Sequence, residues 1–262
     1  MRPNRTIFMQ LIATLILYSC GSSLPVYEIK EKTVEYNALQ AVSDYYNEDA
    51  KLGYTVLKDD NFLYVNINSF ETVSQLKLLK NGVTIFLDTT GKENEITYLQ
   101  YPLISDDKVK MDMKALIENK TTFLKQKITG FGDEILMVNG EDQEYVNRQL
   151  NDKGISAQVN VVEEVLYYQI KFPIHLVEAN SKSLPSMGIA IKGIKSARAT
   201  QPDRIKSSAG GIGSGGRGSG GRGGGRKGGG SKGSTSSQSQ PRTQMSGLSK
   251  DMKIWFKLDL QQ

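Results

Sequence analysis

The sequence predicts a mainly β protein: an antiparallel β-sandwich with two or three helical insertions and a disordered Gly/Arg-rich loop near its end. Three observations carry that prediction. Short runs rich in Val, Ile, Leu, Phe and Tyr recur along the chain, many of them separated by Asp, Asn and Gly turn signals. One run, Phe62–Asn68, alternates cleanly, with Leu63, Val65 and Ile67 on one side and Tyr64, Asn66 and Asn68 on the other, the period of a strand with one dry face. Helical periodicity occurs in only three places, too few for the strand–helix alternation of a parallel sheet. At 262 residues the chain is long enough to bury a core without disulfides.

From the N-terminus, the first segment is an address. Met1–Arg5 contains Arg2 and Arg5, and Ile7–Leu17 is apolar except for Gln10 and Thr14. Such a run makes only about 16 Å of helix, short of a bilayer core of about 30 Å, and has the length of a secretory signal. Leu17-Tyr18-Ser19-Cys20 then resembles the bacterial lipoprotein box, with Tyr18 bulkier than is usual at its place. The resemblance implies removal of residues 1–19, a diacylglyceryl group on the Cys20 thiol and a membrane-anchored mature chain. Acyl chains contribute about 0.8 kcal/mol per buried CH₂. No acidic residue directly follows Cys20, so an inner-membrane retention signal is not apparent and the outer membrane is the expected location. Residues 20–33 read as the lipidated Cys and a tether, and 34–262 as the sandwich.

The elements follow in order. Leu52–Leu57 and Phe62–Asn68 flank Lys58-Asp59-Asp60-Asn61 as a hairpin. Thr72–Leu79 is a helix with Val73, Leu76 and Leu79 on one face, stopped by Asn81-Gly82. Val83–Leu87 is a strand closed by Asp88–Lys92. Val109–Lys125 spaces Val109, Met113, Leu116, Ile117 and Leu124 as a helix does, and Asp142–Leu150 reads as a third, shorter helix. Ile128–Val138, Ile155–Val162, Leu166–Phe172, Met187–Lys195 and Lys253–Leu260 complete the strands.

Some of these segments carry a resemblance. Lys58-Asp59-Asp60-Asn61-Phe62-Leu63-Tyr64-Val65 resembles the nD-x-nLYv hairpin of DOMON-like and family 9 carbohydrate-binding-module-like sandwiches. Gln75–Gly82 followed by Phe86–Lys92 is similar to a segment of Bacteroidetes-type secreted proteins, and Tyr168–Ile174 resembles a YE-x-x-iPl strand end of the same group. The resemblance covers roughly Val34–Gln262 and implies a sandwich of jelly-roll type and ligand binding rather than catalysis. Modules of that family hold sugars against exposed aromatic rings. Tyr64 is one candidate contact. Trp255, the only Trp, is another: it lies in the alternating run Ile254–Leu258 and fits either a surface platform or a packed aromatic of the last strand.

Between Arg204 and Lys250 there are nine basic residues and no acidic one. Leaving these and Arg2 and Arg5 aside, the rest holds 22 basic against 28 acidic residues, so the net charge of +5 belongs to the insert. Ala209–Gly233 alone contains fifteen Gly, and nothing in it offsets the entropy of ordering, which predicts disorder over the basic loop 203–247. Its Arg217, Arg222, Arg226, Lys227 and Lys232 suit a passive linker or an arm touching anionic envelope lipids or acidic glycans. Nucleic acid is not the expected partner, because Phe, Tyr and Trp are absent from the insert and the chain is exported.

Composition removes much of the catalytic menu. One Cys and one His exclude a Cys/His zinc cluster, and any Ser-His-Asp site would need His175 itself. Asp59-Asp60-Asn61 and Asp88-x-x-Gly91-x-Glu93 offer oxygen ligands but match no EF-hand loop, and read as turns. Glu163 and Glu164 read as solvated charges at a tight connection. No catalytic residue, metal or cofactor is expected. The functional expectation is a lipid-anchored envelope protein, not an enzyme, that binds a glycan or another envelope component; the rival is a structural or assembly protein of the outer membrane acting through protein contact.

Overall fold

The alternation of Leu63, Val65 and Ile67 with Tyr64, Asn66 and Asn68 dictates an extended strand, and the computed structural model contains it as Phe62–Ser69, with the three aliphatic residues buried. The structure describes residues 23–33, 42–104, 113–178, 183–195 and 247–260. The chain divides into a body, Met1–Lys195 with Gly247–Gln262, and a second unit, Ser196–Ser246, which lies wholly outside the described residues.

In chain order the strands are β1 (Val26–Glu28), β2 (Lys30–Glu31), β3 (Tyr45–Asn47), β4 (Leu52–Lys58), β5 (Phe62–Ser69), β6 (Val83–Asp88) and β7 (Thr97–Tyr101). After them come β8 (Glu134–Asn139), β9 (Asp142–Asn147), β10 (Ser156–Val162), β11 (Val165–Pro173), β12 (Ser186–Ile191) and β13 (Met252–Asp259). The helices are α1 (Thr72–Asn81), α2 (Met113–Glu118) and α3 (Lys120–Ile128). One sheet has seven strands in the order β1-β13-β12-β6-β7-β8-β9; the other has six, β10-β11-β5-β4-β2 with β3 also on β4. Period two sets the burial of β10, β11 and β13, whereas β4 is buried along its whole length. Ile85, Leu87, Ile189 and Phe256 of the first sheet and Val65, Ile67, Ile170 and Phe172 of the second share one buried core. The fold is thus a β-sandwich with helical insertions. Antiparallel β5 and β11 are neighbours in one sheet while β6 and β12 are neighbours in the other. The β5-to-β6 and β11-to-β12 crossings between the sheets therefore run side by side, the winding of a jelly roll.

Two pairings are parallel. β1 runs along β13 and β2 along β4, with Ile29 buried where the chain steps from one sheet to the other. Behind this step the rings of Tyr27, Tyr45, Tyr54 and Phe256 pack together, and the Tyr54 hydroxyl donates to Tyr27 Oη at 2.6 Å.

α1 is the crossing from β5 to β6. It buries Leu76, Leu78 and Leu79 and ends at Gly82, whose φ of 68° and N–H···O bond to Leu78 (2.9 Å) close the helix. A Cβ at Gly82 would stand 2.3 Å from the Pro102 carbonyl oxygen, so both backbone and space select glycine. The same helix holds both sides of the β12–β13 hairpin. Asn81 Nδ2 donates to the Lys192 carbonyl and Lys77 Nζ to the Lys250 carbonyl, each at 2.7 Å. Ile194 N–H to Leu248 O, 2.7 Å, extends the hairpin ladder to the base of the insert.

Three expectations need correcting. Asp142–Leu150 is not a helix: β9 pairs with β8 through the two-residue turn Gly140-Glu141, because Gly140, at a φ of 66° in the first turn position, makes a hairpin that outweighs the helix formers beyond it. The long helix is two, broken at Asn119, whose side chain accepts from Thr122 N–H (2.9 Å) and caps α3. Its Ile117, placed on the buried face by periodicity, is 75% exposed, and Val109 lies outside the described residues. The strand expected over Ile128–Val138 starts at Glu134, since α3 runs to Ile128. Nor were β1, β2, β3 and β7 expected: residues 26–31, read as part of the 20–33 tether, add a strand to each sheet.

Candidate functional site

Alternation along β13 turns Met252, Ile254, Phe256 and Leu258 into the core and leaves Lys253, Trp255 and Lys257 on the outer side of the seven-stranded sheet. Register then sets Trp255 beside Gly188 of β12, Gly188 beside Phe86 of β6, and Phe86 beside Tyr98 of β7. Gly188 decides what this row does. A Cβ there would lie 2.8–3.0 Å from three indole carbons of Trp255, so the indole lies down over the glycine backbone. It reaches Phe86 across the gap, centroids 5.7 Å apart and planes within 14°, and Tyr98 meets Phe86 edge-on at 5.7 Å. Phe86 is buried between them, whereas Trp255 and Tyr98 are half-buried, so this row is an aromatic platform that meets solvent through Trp255 and Tyr98. Lys253 Nζ stands 5.5 Å over the Phe86 ring and pairs with Glu95 at 2.6 Å.

Beside the platform, the end of β6 is secured by Asp88. Its carboxylate accepts from Thr90 N–H and Oγ1, from the N–H groups of Lys92 and Asn94, and from Ser186 Oγ, at 2.6–3.2 Å. Burial opposes its charge, but these donors outweigh burial and hold the carboxyl below the usual carboxylate range. With both oxygens occupied by protein donors, Asp88 is a turn anchor.

Two residues further along the strands, about 7 Å away, Gln100 of β7, Leu136 of β8 and Tyr145 of β9 form the floor of a groove of about 910 Å³. Lys80 and Asn81 at the end of α1, Lys127 and Phe131 at and after the end of α3, and Lys192 after β12 also line it, with Glu134 as its carboxylate.

The outer side of the six-stranded sheet is built differently. Gln158 Nε2 donates to Gln169 Oε1 (2.7 Å), and Gln169 Nε2 to Asn66 Oδ1 (2.6 Å), an amide ladder across β10, β11 and β5. Asn68 Nδ2 donates to Ser43 Oγ at 2.6 Å. Tyr64 belongs to this side. Its hydroxyl donates to Asp59 Oδ2 (2.6 Å), Lys32 Nζ sits 3.9 Å over its ring, and burial with the Asp59 bond pushes its pKa up to about 12. Asp59 also accepts from the N–H groups of Asn61 and Phe62. Tyr64 is thus a buried turn tie, and the structure sets it on the opposite sheet from Trp255.

The other sequence candidates are simply placed. Glu163 and Glu164 make the two-residue β10–β11 turn, both at positive φ (48° and 66°). His175 is exposed in the 3₁₀ turn Ile174–Leu176. Among the described residues no group of three or more His, Cys, Asp or Glu is arranged to hold a metal. Cys20 and the basic residues Arg217, Arg222, Arg226, Lys227 and Lys232 lie outside the described residues. Phe86, Gly188, Tyr98 and the groove lysines were missed in the sequence. The parity of each strand was readable there, but not the register that aligns strands far apart in the chain.

No protein-family model and no curated protein matches the chain. Solved structures similar to it include two of a carbohydrate-binding module of family 9 from Caldicellulosiruptor kristjanssonii. The complex with glucose is 11% identical, with a TM-score of 0.30 over 65% of this chain and 80% of that one. The complex with cellotriose is 9% identical, with a TM-score of 0.27 over 64% and 76%. The class of protein rests on the sheets themselves: a two-sheet β-sandwich with an aromatic platform on one outer side.

Proposed function

We propose that this chain is a lipid-anchored envelope protein whose sandwich binds a glycan on the outer side of the seven-stranded sheet, without catalysing its conversion. The observation that carries this reading is the indole of Trp255 lying over Gly188 beside Phe86 and Tyr98. A flat aromatic face is apolar and electron-rich, and the C–H-bearing face of a pyranose ring docks on such a surface while its hydroxyls stay hydrated. Trp255, the only Trp, reports directly on its own site. Titrating neutral oligosaccharides, cellotriose among them, into the protein is expected to shift or quench its fluorescence. A spectrum indifferent to a broad panel of glycans would sink the reading.

Anchoring through Cys20 is supported by the charged n-region, the short apolar run and the lipoprotein-like box. Labelled palmitate is expected to enter the wild type and not Cys20→Ala, and trypsin added to intact cells reports which side of the outer membrane the basic insert faces. Cleavage in whole cells fits ligand capture at the surface; protection until lysis fits a periplasm-facing body.

One observation favours the rival assembly role. Tyr46 and Phe70 stack at 6.4 Å while remaining 43% and 58% exposed, a small apolar surface suited to protein contact. Envelope proteins that co-purify with wild type and are lost from Phe70→Ser, with no glycan response at Trp255, would favour that role.

A further inference from the structure

We infer that the groove beside the platform receives an anionic sugar residue, so that the ligand is an acidic glycan carrying carboxylate or sulfate groups. This deepens the reading above and rests on it. The first observation is position. Gln100 and Leu136, on the groove floor, are each two residues along their strands from Tyr98 and Val138 in the platform row, so platform and groove form one continuous surface on the same side of the same sheet. A saccharide whose ring rests on Trp255 and whose chain runs across Tyr98 enters the groove within a few sugar units.

The second observation is charge. Lys80, Lys127 and Lys192 come from three separate elements of the chain to line one groove, with Glu134 the carboxylate among them. This runs against the composition around it: away from the insert and the first residues, the chain holds 22 basic and 28 acidic residues. A lysine-rich groove in an acidic body concentrates positive potential, and ammonium groups on flexible stems suit anions of variable geometry. The third observation is the chemistry of the floor. Tyr145, 60% exposed, and Leu136 give an apolar base, and Gln100 adds an amide. That mixture suits a sugar ring bearing a charge better than a free inorganic anion, which would leave the apolar floor uncovered.

The test is calorimetric titration of the full chain in detergent with two probes of equal length, a galacturonic acid trimer and cellotriose. Wild type is compared with Trp255→Ala and with the triple variant Lys80→Gln, Lys127→Gln, Lys192→Gln. The basic insert is common to all three and cancels. The acidic trimer is expected to bind wild type at least tenfold more tightly than cellotriose, with an advantage that shrinks as salt rises. The triple variant is expected to lose that advantage while binding cellotriose as wild type does, which also shows that it is folded. Equal affinity for the two probes, unchanged by the lysine substitutions, would overturn the acidic-glycan inference and leave the platform standing. Failure of both probes to bind wild type would overturn the platform reading and this inference together.

Discussion

The two outer sides of this sandwich use their side chains in opposite ways. On the six-stranded sheet, Gln158, Gln169, Asn66, Asn68 and Tyr64 bond to one another or to neighbouring turns. On the seven-stranded sheet, Trp255, Phe86 and Tyr98 meet through rings alone, over a glycine. The first side is polar yet poorly disposed to bind, because a ligand must replace hydrogen bonds that are already made. The second offers apolar area that loses only water when covered. Polarity by itself is therefore a poor guide to a binding face; whether the groups are already satisfied is the better one. The ladder has one exception, Asn66 Nδ2, a buried donor without a hydrogen-bond partner among the described contacts.

That contrast can be broken experimentally. The largest effect is expected from Trp255→Ala, which removes the indole face of the platform. Truncating a central aromatic costs about 2 kcal/mol or more in binding, about a thirtyfold loss of glycan affinity by titration. Tyr64→Phe should do the reverse. It deletes a bond to a carboxylate worth about 1.5–3 kcal/mol and lowers the denaturation midpoint, while glycan affinity stays as in wild type. If Tyr64→Phe weakened binding as much as Trp255→Ala, the division of labour between the two sides would be wrong. Gly188→Ala forces the indole off the backbone; the overlap costs about 1–3 kcal/mol of stability, and binding should fall with it.

Acid should weaken both sides together. The carboxyls of Asp88 and Asp59 are each held below their ordinary range, burial being outweighed by the donors around them. A group whose folded pKa is lowered contributes stability above its unfolded pKa, about 3.9 for Asp, and that contribution is lost as pH falls from there through the folded value. Melting temperature should drop below about pH 4. Asp88→Asn should be less stable than wild type at neutral pH and approach it in acid; a constant gap across the range would contradict the assignment. The smallest effect is expected at the Glu163-Glu164 turn, where two L-residues sit at positive φ. Asn-Gly is the natural pair for this geometry, so Glu163→Asn with Glu164→Gly should gain about 1 kcal/mol, read from thermal unfolding, without touching glycan affinity.

Much of the sandwich was legible in the residues. Leu63, Val65 and Ile67 announced β5, Asn81-Gly82 announced the end of α1, and the Ile254–Leu258 alternation announced β13. What failed did so for local reasons. β9 is an edge strand with Val146 as its buried residue, so no apolar period marks it, and Gln143 and Glu144 favour helix in isolation. β7 carries Tyr98 and Gln100 outward, so its pattern shows only Leu99 and Tyr101 as core. The platform was half legible. Trp255 could be singled out, though not its side of the strand, and Gly188 and Phe86 come from strands distant in sequence, whose alignment is decided by packing across the sheet.

The clamp that α1 places on the β12–β13 hairpin has a consequence for how this protein can change over generations. Asn81 and Lys77 hold the chain on either side of the departure point, and Ile194 with Leu248 seals the ladder there. The bonds described at this connection are made by residues before Ser196 and after Ser246. Each doubling of the intervening length costs only about 0.6 kcal/mol. Selection on the sandwich therefore exerts little force on the length or composition of the insert. That stretch is free to drift, lengthen or change its charge, while the aromatic face of the seven-stranded sheet evolves under separate constraint.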